Sequence, residues 1–315
     1  MGGCTIMAGI KKNSAKAWFL AARPKTLTGA AVPVMVGLAL AYVDWSQSSF
    51  CDTNYSFSFL YTPAILCFLF AFAMQIDANF INDYFDCLKG SDREDRLGPK
   101  RACAEGWISL PAMKKGIILT TLIACLIGLP LIAYGGLWMI GIGVLCVVFA
   151  FLYTTSLSYL GAGDILVLVF FGLVPTCIPY YIQLHAISAE CILAGFVVGL
   201  VTDNLLMVNN FRDRDQDRLS GKRTIVVRLG ETWGKNLYFW IGICATILCL
   251  GFIHSGKWAA SILPWGYLFI HYKTWQKMVQ INYGKELNLI LGATARNIFI
   301  FGLLLTVGIL SVLFY

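Results

Sequence analysis

The chain has 315 residues, 58% of them hydrophobic and only 13% charged, with a mean hydropathy of +0.72. Soluble globular domains carry roughly 25% charged residues, so a water-soluble fold is excluded. The formal charge of +7 reads as membrane topology and contact with anionic lipid, not as a nucleic-acid surface.

A helical crossing needs about 20 largely apolar residues, and the apolar segments lack the ten-residue alternation of a transmembrane barrel. In chain order the predicted spans lie near 22–42, 59–81, 116–134, 138–154, 164–183, 190–208, 236–254, 258–272 and 294–314. This predicts an all-α, polytopic membrane protein: a nine-helix transmembrane bundle, one integral-membrane domain over 1–315, with cytoplasmic loops capping a central cavity. The basic arm before the first span (Lys11, Lys12, Lys16) runs into Arg23-Pro24-Lys25 without a signal-cleavage pattern, so that span is expected to stay in the mature protein. With these spans, 23 of the 24 Lys and Arg residues fall on one side and Lys257 alone on the other. Short loops rich in Lys and Arg stay in the cytoplasm; the N-terminus and the loops after spans two and six are therefore expected there, in a multi-pass protein of the cell (inner) membrane.

Span two ends in a ladder of Asn79, Asn82, Asp83 and Asp86, followed by Asp92. Gln75, Asn79, Asn82 or Asp83, and Asp86 recur every three or four residues, which places them on one face if the helix continues into the loop. Span six ends similarly in Asn209, Asn210, Asp213 and Asp215, and Asp203, Asn210, Asp213 and Asp217 share a predicted face. Each ladder leads into a matching segment, Asp95-Arg96-Leu97-Gly98-Pro99-Lys100-Arg101 and Asp217-Arg218-Leu219-Ser220-Gly221-Lys222-Arg223. The copies, 122 residues apart by their numbering, raise the expectation of an internal pseudo-repeat with motif one at 75–101 and motif two at 203–223. Polar stripes on membrane helices face a bundle interior or a water-filled cavity, because lipid exposure of Asp or Asn is costly.

Oxygen ligands from Asp and Asn select hard cations, and magnesium binds through one or two carboxylates while keeping waters and substrate phosphate oxygens. Neighbouring Lys100, Arg101, Arg212, Lys222 and Arg223 could neutralise phosphate oxygens as a leaving group departs. Two acidic clusters interleaved with cations suit a magnesium-bound diphosphate better than a bare ion. Eleven scattered cysteines, mostly within spans and without a C-x-x-C pair, read as small hydrophobes. His185, His254 and His271 lie far in sequence from the acidic loops.

The run Asn82-Asp83-Tyr84-Phe85-Asp86-Cys87-Leu88-Lys89-Gly90-Ser91-Asp92 resembles the first motif of the UbiA superfamily of intramembrane prenyltransferases. Asn209-Asn210-Phe211-Arg212-Asp213, Asp217 and Gly221-Lys222-Arg223-Thr224 resemble its second motif, most of all in the menaquinone branch. Arg23-Pro24-Lys25-Thr26-Leu27, Gln75-Ile76 and Arg228-Leu229-Gly230 agree in order, so the resemblance covers roughly 18–230.

The resemblance implies a nine-helix bundle around a cavity open sideways to lipid. It also implies transfer of a polyprenyl group from polyprenyl diphosphate to 1,4-dihydroxy-2-naphthoate, with decarboxylation to demethylmenaquinol. It further implies that Asn82, Asp86 and Asp92 hold one Mg2+ and that Asp213 with Asp217 hold a second. Asn79, Asp83, Asn209 and Asn210 would support them. Asp203 is expected to position or deprotonate the aromatic acid.

The segment 153–164 lacks the family's usual Gly-Pro character, which bears on acceptor selection. A different aromatic acceptor, 4-hydroxybenzoate or homogentisate, is one alternative; from another class, a divalent-cation transporter would line a path through the bundle with its acids.

Overall fold

The structure, a computed structural model, describes residues 10–51, 58–90, 96–157 and 161–314. Asp92 of the first ladder and Asp95, which opens the first charged segment, lie outside the described residues.

The described chain is helical, as the composition demands: in a bilayer every backbone polar group must find its partner inside the segment. A short helix α1 (Ala15–Ala22) turns at Arg23–Thr26 into α2 (Leu27–Cys51). Then come α3 (Tyr61–Leu88), α4 (Leu110–Gly128), α5 (Leu131–Gly135) and α6 (Trp138–Leu152). Helix α7 (Gly163–Leu184) carries a π-helical turn at Val169–Leu173, and α8 (Ala189–Arg212) follows. The remainder is α9 (Arg214–Leu219), α10 (Ile225–Leu229), α11 (Glu231–Leu248), α12 (Trp258–Ile262), α13 (Trp265–Ile281) and α14 (Leu287–Leu310).

Eight helical stretches among the described residues are long and apolar enough to cross a membrane. The eighth predicted span, 258–272, is two helices: Pro264 caps α13, and α13 runs on to Ile281. The predicted second span, 59–81, is too short as well. Helix α3 continues to Leu88 because the polar ladder is itself helical.

The largest apolar core joins α2, α7, α8 and α14 through residues such as Val36, Leu40, Tyr180, Val197, Val201 and Phe301. Bilayer lipid gives helices no hydrophobic reason to associate, so close backbone approach through small residues carries the packing. The α7–α8 contact shows this, because a Cβ built on Gly172 would lie 2.5 Å from both the Gly195 carbonyl oxygen and the Gly199 Cα. Gly172→Leu is therefore expected to lower the melting temperature of the detergent-purified protein by about 5 °C. Unchanged melting would show that α7 can move aside.

Candidate active site

Because α3 stays helical to Leu88, Gln75, Asn79, Asn82 and Asp86 do follow one another along a face. Asn82 accepts a hydrogen bond from the Thr154 hydroxyl just past the end of α6. Asp86 lies 2.6 Å from the Arg101 guanidinium.

Asp83, next to Asn82 in sequence, points elsewhere: its two oxygens accept the Ala102 and Cys103 backbone N–H groups, each at 2.9 Å. It supports the site by anchoring the loop that brings Arg101 to Asp86. Asn79 donates to the Ala22 carbonyl and the Thr26 hydroxyl, both at 3.0 Å, and Gln75 to the same hydroxyl at 3.3 Å. These bonds stitch α3 to the turn before α2, where Arg23 is held at φ 50°. A left-handed, non-glycine backbone costs about 1–3 kcal/mol and persists only where its surroundings over-determine it. Here it directs a guanidinium whose Nη2 is buried and without a hydrogen-bond partner.

The second ladder departs from its predicted geometry. The spacing of Asp203, Asn210, Asp213 and Asp217 suggests one continuous face, but α8 ends at Arg212 and Asp213 leaves the helix with φ −92° and ψ 7°. The physical reason is local. Arg214 is buried and donates to the Phe211 carbonyl at 2.7 Å, satisfying one of the carbonyls that the helix end orphans. Arg214 also stacks on the Phe211 ring at 4.3 Å and pairs with Glu231 at 3.1 Å, which fixes the break. Asp217 consequently sits on α9, 3.4 Å from Lys222. Burial, with Asp213 close by, pushes the Asp217 carboxyl up to about 6 against the opposing pull of Lys222.

The cations divide into two groups. Arg101, Arg212 and Lys222 each hold a ladder carboxylate, with Arg212 gripping Asp213 at 2.6 and 2.8 Å. Lys100 pairs instead with Glu105 at 2.8 Å and is half-exposed, and Arg223 is exposed. Arg212 has a further duty. It donates to Asn288 at 2.9 Å, Asn288 donates to the Leu97 carbonyl at 2.7 Å, and a Cβ on Gly98 would lie 2.9 Å from Arg212 Nη2. The first charged segment thus closes over a guanidinium of the second ladder, far away in sequence.

Each ladder sends asparagines, Asn79 and Asn82 from the first and Asn209 from the second, into the wall of a cavity of about 480 Å³. Arg23, Thr26, Gln75, Asn79, Asn82, Tyr153, Thr202 and Asn209 supply its polar lining, and the rest is apolar, including Phe70, Phe149, Phe170 and Phe171. Leu129, Ile140 and Val144 line it and are also more than half exposed on the outer surface. The cavity therefore opens sideways between α4 and α6, towards lipid. Residues from α2 to α8 line it, whereas α11 to α14 pack behind α2 and α8. Asn210 is buried behind the wall to which Asn209 contributes.

Asp203 is buried and lies between α7 and α8, within electrostatic reach of Asp164 at the start of α7. Sequence reasoning singles out the segment 153–164 as bearing on acceptor selection but assigns no role to Tyr153, Asp164 or Arg23 individually. In the structure Tyr153 opens a π-helical turn, Tyr153–Leu157. Asp77 stays out of the cavity and accepts hydrogen bonds from Thr120 and Thr121, clipping α3 to α4. His271 likewise serves the bundle, stacked on Tyr238 and hydrogen-bonded to Tyr267 and the Phe239 carbonyl.

Among the described residues, no group of three or more His, Cys, Asp or Glu side chains converges as a metal cage. That fits magnesium, which takes one or two protein carboxylates and completes its shell with waters and phosphate oxygens. The donors at the mouth are all oxygen, and their resident cations show where negative charge is already balanced.

Comparison with known proteins adds an independent line. The UbiA prenyltransferase family matches residues 30–288. The 1,4-dihydroxy-2-naphthoate octaprenyltransferase of Haemophilus influenzae is 38% identical over 266 residues, covering 81% of each chain. The protein of the same name from Escherichia coli is 35% identical, over 81% of this chain and 80% of its own. A solved structure of a digeranylgeranylglyceryl phosphate synthase shares the fold with a TM-score of 0.56 at 16% identity, covering 94% of this chain and 98% of its own.

Proposed function

The chain belongs to the UbiA prenyltransferase family, and we propose from that premise that it prenylates 1,4-dihydroxy-2-naphthoate at the mouth of the α2–α8 cavity. The observation that carries this reading is that Asn82 and Asn209, one from each ladder, line the polar end of an otherwise apolar chamber, while Asp86 and Asp213, four residues further along each ladder, and Asp217 are each paired with a cation. A polyprenyl diphosphate has the same two-part character. Its tail fits the apolar length and the lateral opening; its head fits the ladders. The relatives' names specify the naphthoate acceptor.

In this reading Asn82 and Asp86, with Asp92 beyond the described residues, hold one Mg2+, and Asp213 with Asp217 hold the other. Bound there, the metal neutralises charge on the departing diphosphate, so its effect grows as the allylic C–O bond breaks. Arg101, Arg212 and Lys222 exchange their carboxylate partners for phosphate oxygens when substrate arrives. Arg23, whose buried Nη2 has no hydrogen-bond partner, offers a charge-assisted donor to a substrate anion. Phe149, Phe170 and Phe171 keep water from the allylic cation and present ring faces to it. The same ladder placement sets the mouth on the cytoplasmic side if the positive-inside rule governs the chain.

A cation-transport reading is less well supported: beyond its polar mouth the cavity wall is apolar, and Asp77, Asp164 and Asp203 do not line it. The direct test supplies purified protein with magnesium, a polyprenyl diphosphate and either dihydroxynaphthoate or 4-hydroxybenzoate. Diphosphate release with dihydroxynaphthoate is expected, and chelating the metal should abolish it. Release with neither acceptor would overturn the proposal.

Asp217 adds a pH dependence with a definite sign. Its carboxyl titrates at about 6 in the folded protein, and a metal ligand must be deprotonated. Above that pH the site is ready for the metal; below it a proton competes, and apparent magnesium affinity should fall about tenfold per pH unit for the one proton displaced. Titrating magnesium between about pH 5 and 7, about one unit either side of that value, checks this. Asp217→Asn should bind more weakly and lose the slope.

A further inference from the structure

Behind the cavity wall lies a group of polar side chains that diphosphate binding does not use. Tyr153 lines the cavity and lies within electrostatic reach of Asp164 and Asp203, as well as of Asp86 and Asp217 of the ladders. Gly163, beside Asp164, lies so close to Tyr153 and α8 that an added Cβ would meet the Tyr153 ring at 3.8 Å and Leu206 at 3.1 Å. Gly161, at φ 78°, lets this segment close onto the Arg223 carbonyl, a contact that any Cβ would obstruct.

Three buried oxygens here have no hydrogen-bond partner: Asp164 Oδ1, Asp203 Oδ1 and Thr202 Oγ1. Asp203 and Thr202 are 6% and 5% exposed, and Thr202 lines the cavity. Buried polar atoms left unpaired cost about 1–3 kcal/mol each, and the Thr202 hydroxyl, on the cavity wall beside Asp203, is one whose bonding a ligand can complete.

Resting on the naphthoate reading above, we propose that Tyr153, backed by Asp164 and Asp203, forms the subsite that receives a hydroxyl of the aromatic acceptor and holds its proton while the prenyl group is transferred. The chemistry needs such a place. As the acceptor hydroxyl releases its proton to the Tyr153 oxygen, Tyr153 passes its own to the carboxylate pair, and the oxyanion pushes electron density into the ring. The ring carbon bearing the carboxylate then bonds to the allylic carbon as the allylic C–O bond breaks and diphosphate leaves with that bond's electrons. Loss of CO2 returns the electron pair of the C–COO− bond to the ring and restores the oxyanion, which takes the proton back. No proton is consumed overall, so the requirement is for a reversible store rather than a route to water. Two carboxylates within electrostatic reach of each other can take up and return one proton behind the cavity wall. Tyr153 is the catalytic residue in this scheme, and Asp164 and Asp203 are positioning residues that act through it.

The test uses full-length, detergent-purified protein with magnesium, a polyprenyl diphosphate, and either the dihydroxy acceptor or each of its two monomethyl ethers. Tyr153→Phe and Asp203→Asn should each lower kcat for the dihydroxy acceptor by about a hundredfold, the low end for a lost general base, with KM for the diphosphate unchanged within about twofold. The ether that blocks the relevant hydroxyl should be slowed comparably in the unmodified protein and no further in either variant. Variants that turn over normally would overturn the subsite, as would variants whose loss multiplies with that of the ether, and so would an unmodified protein that neither ether slows. If the unmodified protein prenylates no aromatic acceptor, the naphthoate reading itself fails. Equal melting-temperature gains from added diphosphate in variants and parent confirm that the donor site is folded.

Discussion

Asp86→Ala and Asp213→Ala should each reduce prenyl transfer by about a thousandfold or more, because in the proposed site each removes a charge whose effect is greatest in the transition state. A thousandfold is about 4 kcal/mol at 25 °C, within reach of one lost electrostatic partner in a site shielded from water. The two substitutions have different local consequences. Removing Asp86 leaves Arg101, whose side chain is 10% exposed, without its 2.6 Å partner. Removing Asp213 leaves Arg212, at 2% exposure, with Asn288 as its remaining hydrogen-bond partner among the described residues. Either cation, relieved of that carboxylate, can bind diphosphate more tightly in the ground state, so KM for the donor should stay level or fall while kcat collapses. Steady-state kinetics with varied diphosphate at saturating magnesium separates the two. Turnover within tenfold of the parent for either variant would remove that carboxylate from the proposed site. Asp83→Ala is the informative contrast. Its damage should come through the loop at Ala102 and Cys103 and should show as weaker thermal stability.

How much of this is legible in the sequence depends on the range of the interaction concerned. Repeats of three and four are local, so the first ladder and the helix that carries it can be read from Gln75, Asn79, Asn82 and Asp86 alone. Eight of the nine expected spans follow from hydropathy, which is also local. The break at Asp213 is not legible, because it depends on Arg214 reaching back to the Phe211 carbonyl and across to Glu231. Nor is the division of labour between Asn82 and Asp83: Asn82 faces the cavity while Asp83 caps the loop at Ala102 and Cys103. The segment 153–164 is legible as a departure from the family pattern, but the electrostatic reach of Tyr153 and Asp164 to Asp203 is not, because folding sets it. In each case the residue types are visible and the partners are not.

Lys257 shows the same limit and leads to the second large effect. Sequence reading marks it as the lone cation opposite the motif side, and a charge there could as easily be a solvated loop residue. The structure buries it to 3% exposure, 2.7 Å from Glu190 and 3.4 Å from Asp44, with the Tyr180 hydroxyl donating to Asp44 at 2.7 Å. The cluster ties α2, α7, the start of α8 and the turn before α12 together at the end of the bundle remote from the ladders. A buried pair gains little over an apolar replacement of both partners, but removing one partner strands the other charges. Lys257→Met keeps the stem's packing and leaves two carboxylates facing each other. Their side chains are each 21% exposed, so water relieves part of the repulsion. The expected cost is about 3 kcal/mol, at the low end for stripping a buried ion pair. That should lower the melting temperature of the purified protein by about 6 °C or more while leaving KM for the diphosphate unchanged. Adding Glu190→Gln to Lys257→Met should recover part of the loss, since it removes one stranded charge. A Lys257→Met protein that melts with the parent would show that the cluster is solvated and contributes nothing to holding the far end of the bundle closed.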